Sequence, residues 1–179
     1  MNLFICGSGT ITDKKWVFSK IEECIAENHF TNITVFNDNL KGVDAIAREW
    51  AKNHNVCIRD FPTPVPDSPH SLFYKRDERM VQECDFMLNI WDGISSESFN
   101  DIITAEKNQK PYKLCLYTEN QAYANAVYST LQNHKNLLFS PLNARAIKNK
   151  FQSIVNQTLA KQIIEKTSSG TNIEPWWEE

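Results

Sequence analysis

Short runs of β-type residues recur at residues 3–6, 33–36, 56–61, 86–91 and 113–117, and a segment with helical spacing separates each run from the next. This is βαβ alternation, the pattern of parallel strands joined through crossover helices. Phe86-Met87-Leu88-Asn89-Ile90-Trp91 is nearly continuous in apolar residues, as expected of a strand covered on both faces. The expected architecture is therefore α/β: a Rossmann-like, doubly wound, mainly parallel sheet of about five or more strands, with helices on both faces.

The intervening segments support this. Trp16, Ile21 and Ile25 form an apolar stripe over 14–27, and Asp13 stands where an N-cap carboxylate belongs. Val43, Ile46, Ala47, Trp50 and Ala51 form a second stripe, and Phe99, Ile102, Ile103 and Ala105 another. Further helices are expected over 71–84, 122–131 and 144–164. Ahead of residue 71, the prolines of Phe61-Pro62-Thr63-Pro64-Val65-Pro66 oppose helix and central strand alike, which predicts an extended loop at the sheet's edge or mouth. Residues 1–166 are expected to form one domain. Thr167-Ser168-Ser169-Gly170-Thr171-Asn172 has linker chemistry, so 167–179 is expected to be a tail. Its Trp176-Trp177 pair suits either docking on the body or a partner, or a loose end.

Composition narrows the functional classes. With 41% hydrophobic and 23% charged residues and only 5 Gly and 7 Pro, the chain is neither collagen-like nor wholly disordered. A net charge of −3 gives no general attraction to a phosphate backbone, so nucleic acid is not an expected partner. Cys6, Cys24, Cys57, Cys84 and Cys115 are odd in number and widely spaced, which points away from a disulfide framework or zinc site and towards a reducing cytoplasm. No metal is expected either, because His29, His54, His70 and His134 lack ligand spacing. The first residues carry no basic leader, and no apolar stretch approaches the roughly 18 residues of a membrane span, so neither export nor membrane insertion is expected.

In a sheet of this kind, ligands bind beyond the carboxyl ends of the strands. Three segments fall there. Gly7, Ser8, Gly9 and Thr10 follow the first strand and offer close backbone approach and hydroxyls to a phosphate or ribose, or simply a tight turn; they form neither a dinucleotide fingerprint nor a Walker loop. Asn37, Gly42 and Asp44 follow the second strand, where Asp44 suits a ribose hydroxyl or a helix cap. Asp92, Gly93, Ser95, Ser96 and Ser98 follow the fourth and suit an anion seat or a loop with an N-cap. The 71–84 segment carries Lys75, Arg76, Asp77, Glu78 and Arg79, a mixture that by itself reads as a solvated face.

The order of these segments resembles the SLOG superfamily of Rossmann-like proteins, in particular its YspA/YpsA-related branch. The resemblance spans about residues 3–117. It rests on Gly7-Ser8, on Gly42-Val43-Asp44 with Ala47-Arg48-Glu49-Trp50-Ala51, on Arg76-Asp77-Glu78-Arg79-Met80, and on Asp92-Gly93-Ile94-Ser95-Ser96-Glu97-Ser98. More distantly it is similar to the LOG-type phosphoribohydrolases: Arg76 and Met80 fit their motif, Asp85 falls where an aspartate precedes the strand, Ser98 stands for threonine and Asp101 for glutamate. Asn37-Asp38-Asn39 replaces glycines of that pattern, and Glu97 replaces another, adding bulk and negative charge where a phosphate would approach.

The resemblance implies a cytoplasmic domain that binds a nucleotide-derived or ribose-containing small molecule at the carboxyl edge of its sheet, as a homodimer or larger homo-oligomer, with no cofactor. A second expectation is hydrolysis or transfer at an N-glycosidic bond, of the phosphoribohydrolase or deoxyribosyltransferase type, with Arg76 holding substrate and Asp101 stabilising the ribosyl centre or acting as acid/base. A third is an interaction module with a degenerate pocket.

Overall fold

The computed structural model describes residues 1–62 and 70–168, which cluster into two units, Met1–Tyr117 and the chain from Thr118 onward. In the first, strands β1 (Asn2–Gly7), β2 (Thr34–Asn37), β3 (Cys57–Asp60), β4 (Phe86–Trp91) and β5 (Tyr112–Leu116) alternate with helices α1 (Lys14–Glu27), α2 (Val43–Asn53), α3 (His70–Glu83) and α4 (Ser96–Lys107). All strand pairs are parallel, in the order β3-β2-β1-β4-β5. This is the doubly wound sheet expected from the sequence. The strand order reverses between β1 and β4, the switch point beside which such sheets bind ligands.

Two-residue alternation along the strands divides the core. Leu3, Ile5, Val35, Leu88 and Ile90 pack with Val17, Ile21 and Cys24 of α1 and with Val43, Ala47 and Trp50 of α2. Phe4, Cys6, Phe36 and Met87 face the other way, against Met80, Val81 and Cys84 at the end of α3 and Ala105 of α4. Helices thus cover both faces. Asp13 caps α1 as expected, its carboxylate accepting from Trp16 N–H at 3.1 Å. Asp85, just ahead of β4, accepts from the Asn2 N–H at 2.7 Å and ties the start of β1 to β4.

Element ends move by a residue or so for local reasons. The Val56 N–H closes the end of α2 by donating to Ala51 O at 2.8 Å, so β3 starts at Cys57. Phe61 N–H still bonds Asn37 O at 2.8 Å, but the next residue, Pro62, has no N–H with which to continue the ladder. The remainder of the proline segment, 63–69, lies outside the described residues, as does the Trp176-Trp177 pair.

The second unit contains α5 (Gln121–Asn133), α6 (Lys135–Leu138) and α7 (Ala144–Ser168). Helix α5 packs against α7, and Val127, Leu131, Phe151 and Val155 are buried. A single turn such as α6 is too short to leave a periodic signature in sequence. Helix α7 runs beyond both 164 and the expected tail boundary at 166, since no Gly or Pro interrupts the chain there and an established helix extends at little cost. Among the described residues, no helix is long and apolar enough to cross a membrane.

Candidate functional site

At the carboxyl ends of β1 and β2 two loops meet backbone to backbone. A Cβ on Gly7 would lie 2.2 Å from Ile90 O and 2.8 Å from Val43 Cγ2, so any side chain there would force β1 and β4 apart. Gly42, the N-cap of α2, has φ +74°, and a Cβ on it would lie 2.5 Å from both Gly9 Cα and Ser8 O. Gly7 is therefore required by contact, and Gly42 by contact and conformation together.

The loops after β1 and β4 are joined through hydroxyls and one carboxylate. The Ser8 and Ser98 hydroxyl oxygens lie 3.2 Å apart, and Asp92 N–H donates to Ser8 Oγ at 3.0 Å. Asp92 in turn accepts from the N–H groups of Ile94 (2.8 Å) and Ser95 (2.7 Å) and from the Thr10 hydroxyl (2.7 Å). Partial burial pulls the Asp92 carboxyl upward, but these donors outweigh it and hold the group below the ordinary aspartate range. Ser95 caps α4, its Oγ accepting from Ser98 N–H at 3.4 Å. The loop just ahead of α4 is thus wound around the protein's own carboxylate.

Beside this network a cavity of about 230 Å³ opens between α3, α4 and the ends of β1 and β2. Cys6, Gly7 and Ser98 line its inner wall, and Leu40, Phe73 and the half-exposed Tyr74 supply apolar surface. The other lining groups are charged: Arg76 with Asp38, Asp44, Asp77, Glu97 and Asp101. Arg76 Nη2 reaches Asp38 Oδ2 at 2.7 Å and Asp77 Oδ1 at 2.6 Å, while its Nε donates to the same Asp77 oxygen at 2.9 Å.

One guanidinium among so many carboxyls cannot keep them all ionised, since two like charges 4 Å apart repel by about 4 kcal/mol at an effective dielectric near 20. Burial, then the neighbouring charges of Asp38 and Asp101, pushes Asp44 well above the usual aspartate range. Asp101 is likewise pushed well up, by burial and by Asp77, with the Cys6 hydrogen bond opposing. Asp77 is raised by burial in spite of Arg76. Burial and Asp101 also raise the Cys6 thiol well above normal, which makes it a poor nucleophile at neutral pH. Among the described residues, no group of three or more His, Cys, Asp or Glu side chains is placed to hold a metal ion.

Of the residues singled out from sequence, Gly7, Asp44, Arg76, Ser98 and Asp101 line the cavity. Ser8, Thr10, Asp92 and Ser95 form the network joined to it through Ser98. Gly9 lies under the Lys41 side chain, Gly93 has φ +81°, and Ser96 is exposed in the first turn of α4. Asn37 is fully buried and braces the β2 loop, its amide donating to Asp44 O at 2.8 Å while its Oδ1 accepts from Asn39 N–H at 2.9 Å. Asp38, Asp77 and Cys6 complete the cavity without having been singled out. Acids just past the ends of β2 and β4, at Asp38 and Asp92, were the available signal. No protein-family model matches the chain, and no curated protein matches it.

Proposed function

We propose that this chain binds a ribose-containing small molecule in the cavity at the β1/β4 switch point, as the resemblance of its motif order to the SLOG superfamily implies. The observation that carries the reading is Asp38. It directly follows β2 and faces the cavity together with Asp44, at the place where dinucleotide-binding sheets carry the acid that accepts hydrogen bonds from ribose hydroxyls. Phe73, Tyr74 and Leu40 offer a surface on which a base can stack.

Thermal unfolding in the presence of ribonucleosides and nucleotides tests this, because a ligand of the folded state alone raises the midpoint by mass action. At least one member of the panel is expected to raise it by several degrees. Tyr74→Ala should weaken that ligand on the order of 5- to 100-fold, the range of one base–aromatic stack. No shift from any member at millimolar concentration rejects the reading.

A second reading, cleavage at the N-glycosidic bond, is favoured by the place of Asp101 on the cavity wall, where burial and Asp77 push its carboxyl well above the usual aspartate range. A carboxyl raised in this way is suited to deliver a proton to the departing base nitrogen while water adds to C1′ and returns a proton to the carboxylate. Incubation with nucleosides and nucleotides should then release free base, and Asp101→Asn should abolish release while leaving binding nearly intact. Release that survives the substitution rejects this role for Asp101.

A further inference from the structure

We propose that the cavity takes its ligand without phosphate, as a nucleoside rather than a nucleotide; this rests on the ribose-binding reading and specifies its substrate class. Three features of the site point the same way.

The first concerns the seats a phosphate would use. In sheets of this type an anion sits on the glycine-containing loop after the first strand or on the amides at the start of the helix beyond the switch point. Here Ser8 N–H is committed to Ile90 O at 3.0 Å and Ile11 N–H to Ser8 O at 3.2 Å. At the start of α4 the Asp92 carboxylate already takes the Ile94 and Ser95 amides and the Thr10 hydroxyl. A phosphate arriving there would meet the negative charge of Asp92 in the loop immediately ahead of the helix.

The second is the charge of the walls. Arg76, the cation that lines the cavity, is shared between Asp38 and Asp77. Among the described lining residues it faces five carboxyls, those of Asp38, Asp44, Asp77, Glu97 and Asp101. A phosphate dianion would enter a low-dielectric space with more negative than positive groups, an arrangement that discriminates by repulsion.

The third is what the same groups accept. Carboxylate oxygens are hydrogen-bond acceptors, and an unphosphorylated ribose presents hydroxyl donors, including the 5′ hydroxyl that phosphorylation removes. Behind the cavity wall, the Asn89 amide N–H₂ donates to Ser98 O at 2.9 Å and approaches Cys6 Sγ at 3.4 Å, bracing two lining residues. Its Oδ1 is fully buried and has no donor among the described residues.

The test is isothermal titration of the full chain with adenosine, guanosine, cytidine and uridine, each beside its own 5′-monophosphate and its uncharged 5′-sulfamate. The sulfamate has nearly the bulk of the phosphate without its charge. At least one nucleoside is expected to bind at least tenfold more tightly than its monophosphate, with the sulfamate close to the nucleoside. A monophosphate that binds as tightly as its nucleoside overturns the proposal and leaves ribose binding standing. A sulfamate as weak as the monophosphate overturns it as well, because size and not charge would then exclude phosphate. Absence of binding throughout the panel overturns the ribose-binding reading itself, and this proposal with it.

Discussion

Arg76 Nη2 and Asp38 Oδ2 lie 2.7 Å apart, with 8% of one side chain and 6% of the other exposed. The guanidinium also holds Asp77, so one cation from α3 secures an acid of its own helix and an acid from the β2 loop. The residue marked by sequence as a substrate holder is thus, first, a clamp on the walls of the cavity.

Removing that cation leaves buried carboxyls uncompensated. Arg76→Ala is expected to lower the unfolding free energy by about 3–5 kcal/mol at pH 7, the usual cost of breaking a buried pair from one side. Part of the loss should return near pH 5, where the orphaned acids can take up protons. Urea denaturation at the two pH values measures this, and a loss under about 1 kcal/mol at pH 7 would mean that the pair contributes no more than surface bridges do.

Asp44 and Asp101 make stability depend on pH in a definite sense. Both carboxyls are raised on folding, so between their unfolded value, near 4, and their folded one the native state binds more protons than the unfolded state. Unfolding free energy therefore falls as pH rises from about 4 through that window, as far as these two groups determine it. Asp44→Asn and Asp101→Asn should each flatten the profile and raise stability at pH 8. Wild-type and variant profiles that stay parallel from pH 4 to 8 would contradict this.

Gly42 and Gly9, which meet backbone to backbone, should respond very differently to a methyl group. Gly42→Ala places a methyl 2.5 Å from the backbone of Ser8 and Gly9 at φ +74°, so either the loop moves or the strain remains. A cost of roughly 3 kcal/mol or more, with a fall in midpoint on the order of 10 °C, is expected. At Gly9 a new Cβ would meet the flexible Lys41 side chain at 3.4 Å and Lys41 O at an ordinary 3.8 Å, and Gly9→Ala should change the midpoint little. Equal effects at the two positions would show that the loops do not meet as described.

The sheet and its helices were legible because period-two and helical spacings are properties of neighbouring residues. The cap at Asp13 follows from the same local chemistry, whereas β1 and β2 each run one residue past the expected ends at Cys6 and Phe36, and Asp44 lies in the first turn of α2 behind a Gly42 cap. Asp38, Asp77 and Cys6 were not legible as site residues, because their significance comes from parts of the chain far apart in sequence. Asp77 sits within Lys75-Arg76-Asp77-Glu78-Arg79, which reads as a solvated face. In the fold Lys75, Glu78 and Arg79 do face solvent, while Arg76 and Asp77 turn to the cavity. Helical phase separates these neighbours, and only packing against α4 and β1 determines which of them is buried. Asp92 was read as part of a seat for an outside anion, and the local sequence holds nothing to say that its own carboxylate occupies that seat.

That occupancy gives the last prediction. Asp92 lies below the ordinary aspartate range because donors favour its charged form, so its contribution is present above an unfolded value near 4 and is lost as pH falls through the folded one, opposite in sign to Asp44 and Asp101. Asp92→Ala removes the acceptor for the Ile94 and Ser95 amides and the Thr10 hydroxyl and should cost about 2–3 kcal/mol at neutral pH, where charge-assisted hydrogen bonds are strongest. It also empties the helix-start position of its resident anion while leaving the donors in place. Sulfate or phosphate ions should then bind there and restore part of the loss. In about 50 mM sulfate the midpoint of Asp92→Ala should rise by several degrees more than that of the wild type, whose position is already filled and which registers only the general salting effect. Equal rises in the two proteins would mean that Asp92 braces the loop without standing in for an anion, and would remove the first of the three arguments against a phosphorylated ligand.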